Sequence, residues 1–406
     1  MKVTGVIVEY NPFHKGHLYH LEKTKEITNC DGIIAVMSGS FMQRGIPAMV
    51  DKWNRAKSAL LNGVDLVIEL PTIYSLSSAE IFAYGGISLL DSLGITNCIC
   101  FGSEYGDAAG LSQIASILLS EPEEYRIILK DQLNLGLSFP VARSRALIQF
   151  LQLSDNKDLS DLQQILSSSN NILGIEYCKS ILKLNSNIEP FSIKRQGGSY
   201  TSTALSDTFS SASSIRKYIK ENKSLSGLQN HLPEKVYDSL LFLLKNNYNF
   251  VSEDSMLPYI KYKTILHRNL IKNLPDVSEG IDNRIVKFLE TANSYEELIS
   301  LVKSKRYTYT RISRILCQYF VGFENFDTAL LRKRPCPYAR VLGFNSTGLK
   351  ILKEAKRKSS IPIYTKLPKT LDDTLKLDIL ATRFYSLLNN SIHPNSDYLT
   401  SPIITS

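Results

Sequence analysis

Three of the six histidines in this 406-residue chain fall within its first twenty residues, and two of them stand in His14-Lys15-Gly16-His17. Imidazoles at i and i+3 near a helix start face one bound group from one side. There they can donate to phosphate oxygens as charge develops during displacement at phosphorus. Gly16 lets a nucleotide approach the backbone closely. Zinc is the rival ligand, but it needs a third or fourth donor. No cysteine or further histidine sits nearby at a convincing spacing, so no metal site is assigned. A purely structural histidine pair is the other reading of these four residues.

Two further strings carry chemistry. In Ser213-Ser214-Ile215-Arg216, hydroxyls at a helix start cap it and can bind phosphate, while Arg216 adds a fixed charge and paired donors. Alone, such a string is an ordinary helix cap. In Lys305-Arg306-Tyr307-Thr308-Tyr309-Thr310-Arg311-Ile312-Ser313-Arg314, basic residues alternate with aromatics and hydroxyls. Arg311 and Arg314 share a helical face, with Tyr307 one turn before Arg311, a pattern suited to contacting phosphates and stacking bases. Arg332-Lys333-Arg334 follows, and residues 301–360 hold 14 Lys+Arg against 3 Asp+Glu. This favours RNA binding over a merely solvated helix. The chain has no GxxxxGK[ST] loop, no GxGxxG fingerprint and no GxSxG elbow, so the familiar ATPase, dehydrogenase and hydrolase readings lose support.

These residues need a scaffold. Apolar runs at Val3–Glu9, Gly32–Met37, Asp65–Leu70 and Asn97–Phe101 predict buried strands, alternating with helical patterns at Leu18–Thr28, Lys52–Leu61 and Ser78–Leu90. Ile188–Lys194 predicts one more strand. The fold class is therefore α/β, with a parallel sheet covered on both faces and ligands at the carboxyl ends of its strands. Asn11 to His17, Ser38 to Arg44 and Gly102-Ser103-Glu104 fall at those ends. The remainder reads as mostly helical. The expected division is a catalytic domain over residues 1–225 and a basic, mostly α-helical domain over 226–406.

Charge supports that division. Residues 1–165 carry a net −5 and the remainder +13, so the overall +8 belongs to the second half. A single-sign surface of that size can hold a polyanion. No apolar run is long enough to span a membrane, and no signal-peptide pattern opens the chain. Six cysteines without a CxxC pair lie mostly in apolar segments, as expected of reduced thiols in a cytoplasmic protein.

With these residues assembled, the chain resembles the HxGH nucleotidyltransferase-like superfamily and, within it, the bacterial tRNA(Met) cytidine acetate ligases. The resemblance runs through Gly5 to His20, Ala35-Val36-Met37-Ser38-Gly39, Gln43-Arg44-Gly45, Lys52-Trp53, Gly63 to Pro71 and Phe101-Gly102-Ser103-Glu104. It continues in Asn170-Asn171-Ile172-Leu173-Gly174, Ile193-Lys194-Arg195 and 305–314. It implies a Rossmann-like nucleotidyltransferase domain followed by a tRNA-binding one. It also implies a two-step ligation: acetate is activated by ATP as acetyl-adenylate, then passed to N4 of the wobble cytidine of elongator tRNA(Met). Carried over residue by residue, ATP would be held by Ile7-Val8-Glu9-Tyr10-Asn11-Pro12-Phe13-His14-Lys15-Gly16-His17-Leu18-Tyr19-His20, Gly102, Asn170 and Arg195. His14 and His17 would take the catalytic role, supported by Ser213 and Arg216. Magnesium is expected on the triphosphate. Lys305, Arg306, Tyr307, Arg311, Arg314, Arg332, Lys333 and Arg334 would bind tRNA, and neither a membrane nor a stable protein partner is expected. Ser211-Ala212-Ser213-Ser214 is looser than the usual superfamily string. The alternative is a nucleotidyltransferase moving AMP or CMP onto a small phosphorylated metabolite.

Overall fold

A computed structural model describes residues 1–137, 139–153, 162–195, 209–304 and 306–406. Its centre is a mostly parallel sheet. The first five strands are β1 (Val3–Val8), β2 (Gly32–Ser38), β3 (Leu66–Leu70), β4 (Cys98–Ser103) and β5 (Glu189–Lys194). They match the five sequence-predicted strands to within two residues at each end. Their order is β5-β4-β1-β2-β3, all parallel, with β1 pairing β2 in the register Val3↔Gly32 to Val8↔Met37. β2 and β3 are buried along their full length. Alternate side chains feed two cores, as the two-residue period of a strand requires. Ile34, Val36, Leu66 and Ile68 face one core, and Ile33, Ala35, Met37 and Val67 the other.

The second half of the chain joins the same sheet, which the mostly helical expectation for 226–406 did not include. β6 (Ala339–Phe344) lies antiparallel against β3, and β7 (Ile363–Tyr364) and β8 (Ile403–Ile404) share its outer edge. Residue 225 therefore marks a change in chain composition while the sheet draws on both sides of it.

β6 is anchored by charge. Arg340 Nη1 lies 2.8 Å from Asp397 Oδ1 and 3.4 Å from Glu69 Oε2. Lys52 Nζ lies 2.7 Å from Glu69 Oε1 and 2.8 Å from Asp397 Oδ1. All four residues are buried, so each charge depends on the others to offset its lost hydration.

The helices that build the site are α1 (Lys15–Thr28), α2 (Lys52–Leu61), α3 (Ala79–Ser92), α4 (Ser169–Lys183), α5 (Ala212–Asn222) and α6 (Tyr309–Val321). α1 begins three residues before the expected start at Leu18, because His14 acts as its N-cap. Asp51 caps α2, accepting from the N–H groups of Trp53 and Asn54. Ser211 caps α5 through the N–H of Ser214. α6 meets the loop after β2 at Gly45, whose φ of +80° and whose missing Cβ, otherwise 2.2 Å from Arg314 N, permit backbone-to-backbone packing. Ser313 Oγ donates to the Gly45 carbonyl at 2.8 Å across that seam.

Candidate active site

β1 has β2 on one side and β4 on the other, so the chain reverses its direction of sheet growth beside β1. Carboxyl-terminal loops diverge at such a point and leave a crevice. A cavity of about 570 Å³ opens there. Its wall is made by Ile7 to Asn11 after β1, the first turns of α1, Gln43-Arg44, Gly102, Asn170, Arg195, Arg216 and, from the basic half, Thr310 and Arg314.

The histidines are held by the helix they begin. His14 Nδ1 accepts from the N–H of Gly16 at 3.1 Å, and His17 Nδ1 accepts from the N–H of His14 at 3.2 Å. The rings stack with centroids 3.7 Å apart, and Tyr10 meets His17 edge-on at 4.9 Å. With both Nδ1 atoms occupied as acceptors, each neutral ring carries its proton on Nε2. The pair thus offers two N–H donors at the positive end of a helix dipole.

Burial, with Arg195 and Arg216 adding like charge, draws the His14 imidazole down to about 3. Burial and the neighbouring histidines hold His17 well below its ordinary value. Burial and Arg195 bring His20 to about 4. All three rings are therefore neutral near pH 7. They act as donors to an anion, and the two arginines supply the formal charge.

Arg216 is braced for this position. Its Nη1 donates to the Asn11 carbonyl at 2.7 Å and its Nη2 to Ser213 Oγ at 3.2 Å. Ser213 lies behind Arg216 and supports it, and the cavity wall at this point is Ser210, Ser211 and Ala212. Asn11 Oδ1 accepts from Met49 N–H at 2.8 Å, while Asn11 Nδ2 and the Tyr10 hydroxyl are buried without hydrogen-bond partners. Arg55 Nη1 donates to the Glu9 carbonyl at 2.7 Å, and Glu9 Oε1 accepts from Gln43 N–H at 2.7 Å. The loop that turns from β1 into α1 is thus fastened at Glu9 and Asn11.

Of the residues expected to hold ATP, Ile7, Val8, Glu9, Tyr10, Asn11, His14, Gly16, His17, Tyr19, His20, Gly102, Asn170, Arg195 and Arg216 line the cavity. Phe13 does not; it is buried in the core beneath His17, 5.6 Å ring to ring. Lys15 and Leu18 lie on the other side of α1, along a separate depression with Leu61 and Lys235. Pro12 is buried outside the wall.

The expected tRNA-binding residues divide. Arg306 is exposed, pairing with Glu279 at 2.5 Å, and Lys333 is exposed. Tyr307 precedes α6 and is buried, with the Arg311 guanidinium 4.4 Å above its ring, so the stacking face expected of it is taken by its neighbour. Arg311 donates to the Asp276 carbonyl, while Arg314 and Arg332 pair with the Asp276 carboxylate at 3.5 and 3.4 Å. Arg334 donates to Thr374 Oγ1 at 3.2 Å. Lys305 lies outside the described residues. Arg314 alone of this set reaches the cavity wall. Asp276 and Thr310 were missed in the sequence, since neither lies in a basic run or at a strand end.

Comparison with known proteins agrees with this geometry. The profile of the HIGH Nucleotidyl Transferase family matches residues 1–398. The chain is 58% identical over 403 residues to a tRNA(Met) cytidine acetate ligase of Clostridium novyi, covering 99% of each chain. It is 54% identical over 404 residues to one of Clostridium tetani, covering 100% of each. Its fold superposes on crystal structures of Thermotoga maritima TmcAL, one apo (TM-score 0.90) and one bound with alpha-thio ATP (TM-score 0.88). Identity is 34% in both, with 100% of this chain and 99% of the other covered.

Proposed function

The chain belongs to the HIGH nucleotidyl transferase family, on its tRNA(Met) cytidine acetate ligase branch, and from that membership we propose that it uses ATP and acetate to form N4-acetylcytidine at the wobble position of elongator tRNA(Met). The observation that carries this reading is the full-length identity to ligases of that name.

The cavity suits the first step. An acetate oxygen attacks the α-phosphorus of ATP and pyrophosphate leaves. Negative charge accumulates on phosphate oxygens, and preorganised donors stabilise it without reorganising. His14 and His17 supply two Nε2–H donors, and Arg195 and Arg216 supply charge. Magnesium travels on the triphosphate and offsets part of its charge. In the second step the cytidine N4 attacks the acetyl carbon, AMP leaves, and the amine loses a proton. α6 places Thr310 and Arg314 of the basic half on the wall of the same cavity, where the RNA substrate must arrive. The residues from 226 onward, with exposed Arg306 and Lys333, are assigned to tRNA. No helix among the described residues is long and apolar enough to cross a membrane, and we place the reaction in the cytoplasm.

The test is incubation with ATP, labelled acetate and unmodified elongator tRNA(Met). Label is expected in the tRNA as N4-acetylcytidine. Folded protein that leaves the tRNA unlabelled, or that sends AMP or CMP into a small product, would overturn the proposal.

A further inference from the structure

Glu104 follows β4 and is half-buried beside the cavity, yet does not line it. Its carboxylate receives two hydrogen bonds from the start of α4. Asn170 Nδ2 donates to Oε1 at 2.7 Å, and the N–H of Asn171 donates to Oε2 at 3.1 Å. The link is reciprocal, because the N–H of Tyr105 donates to Asn171 Oδ1 at 3.0 Å. Ser168, at the N-cap position of α4, makes no side-chain capping bond. Glu104 thus supplies, from a distant loop, an acceptor that a helix start lacks.

The same contact decides how Asn170 is presented. An ionised carboxylate can only accept, so the Asn170 amide must turn its NH2 toward Glu104. The amide is planar, and its other end is the carbonyl oxygen. Asn170 lines the cavity, so a ligand there meets an acceptor. We propose that Glu104 is a positioning residue for nucleotide recognition: it locks the Asn170 amide so that Oδ1 receives a hydrogen bond from a donor on the nucleotide. This rests on reading the cavity as an ATP site. Two nucleotide groups share the required chemistry, the exocyclic amine of adenine and a ribose hydroxyl.

The experiment is calorimetric titration of the full chain and its E104Q, E104A and N170A variants with ATP, inosine triphosphate and 2′-deoxy-ATP. In E104Q the new amide can donate to Asn170, which lets the Asn170 amide reverse. ATP affinity is expected to fall about tenfold in E104Q, the size of one lost charge-assisted hydrogen bond. Selectivity should fall with it. If the base amine is the partner, the preference for ATP over inosine triphosphate collapses; if the 2′-hydroxyl is, the preference over 2′-deoxy-ATP collapses. N170A should lose the same preference, and adding E104Q to it should cost nothing more. Equal weakening toward all three nucleotides would mean that Glu104 only caps α4, and overturns the proposal. So would unchanged affinities. Wild-type protein that binds none of the nucleotides would instead overturn the ATP-site reading itself.

Discussion

Arg216 donates to the carbonyl of Asn11 at 2.7 Å, tying α5 to the loop that delivers the first histidine. Its second prong rests on Ser213. Lysine keeps the charge but cannot hold both oxygens in one fork. Arg216→Ala should raise KM for ATP about ten- to hundredfold, and Arg216→Lys should recover only part of that loss. Pyrophosphate release at varied ATP concentration measures it.

His14 has two duties that a single substitution can separate. As N-cap it accepts from Gly16, and as a donor it faces the cavity. Asparagine is a strong N-cap but brings no imidazole. His14→Asn should keep the melting temperature near that of wild type and lower acetyl-adenylate formation about 10²- to 10³-fold. His14→Ala should lose comparable activity and, in addition, about 1 kcal/mol of stability. Calorimetry and pyrophosphate release on the same samples separate the two effects.

Neutral, buried imidazoles make the fold sensitive to acid. His14 is drawn to about 3 and His20 to about 4, against an unfolded value of 6.5. Between these limits the unfolded chain binds protons that the folded chain refuses, so stability falls as pH falls through this window. The thermal midpoint of the wild type should therefore drop more steeply from pH 7 to pH 4 than that of a His14→Asn/His20→Gln double variant. Parallel slopes would show that these rings do not contribute.

The legible parts of the fold were those whose signal is local. β1 to β5 are continuous apolar runs, and His14 and His17 announce their chemistry by spacing alone. β6 was missed because Arg340 interrupts its apolar pattern. That arginine is acceptable inside a sheet only because Glu69 and Asp397 arrive from remote parts of the chain. β7 and β8 have two residues each, too few to show a period. The basic string at 305–314 was visible, but its use was not: Asp276, outside any motif, draws Arg314 and Arg332 inward.

That division of the arginines predicts two kinds of tRNA variant. Lys333→Ala removes an exposed charge and should weaken tRNA binding, flattening its salt dependence by about one phosphate contact, with stability unchanged. Asp276→Ala leaves Arg314 and Arg332 facing each other without their carboxylate. It should destabilise the fold by about 1–3 kcal/mol, read by urea titration. Filter binding over a range of salt concentrations tests the first.

The four-charge cluster beneath β6 should be less forgiving. Lys52→Met leaves Glu69 and Asp397 sharing Arg340 alone in a buried site. A loss of about 3–5 kcal/mol is expected by urea titration.

β5 ends at Lys194 and β6 begins at Ala339, so a ribosome delivers the histidines and the inner strands long before the strand that covers β3. During that interval Leu66–Leu70 is a bare rim, open to pairing with any passing strand. A prematurely terminated product would carry most of the phosphate-facing residues and still be prone to clump. Synthesis to the end of the message is thus a condition for solubility as well as for RNA recognition.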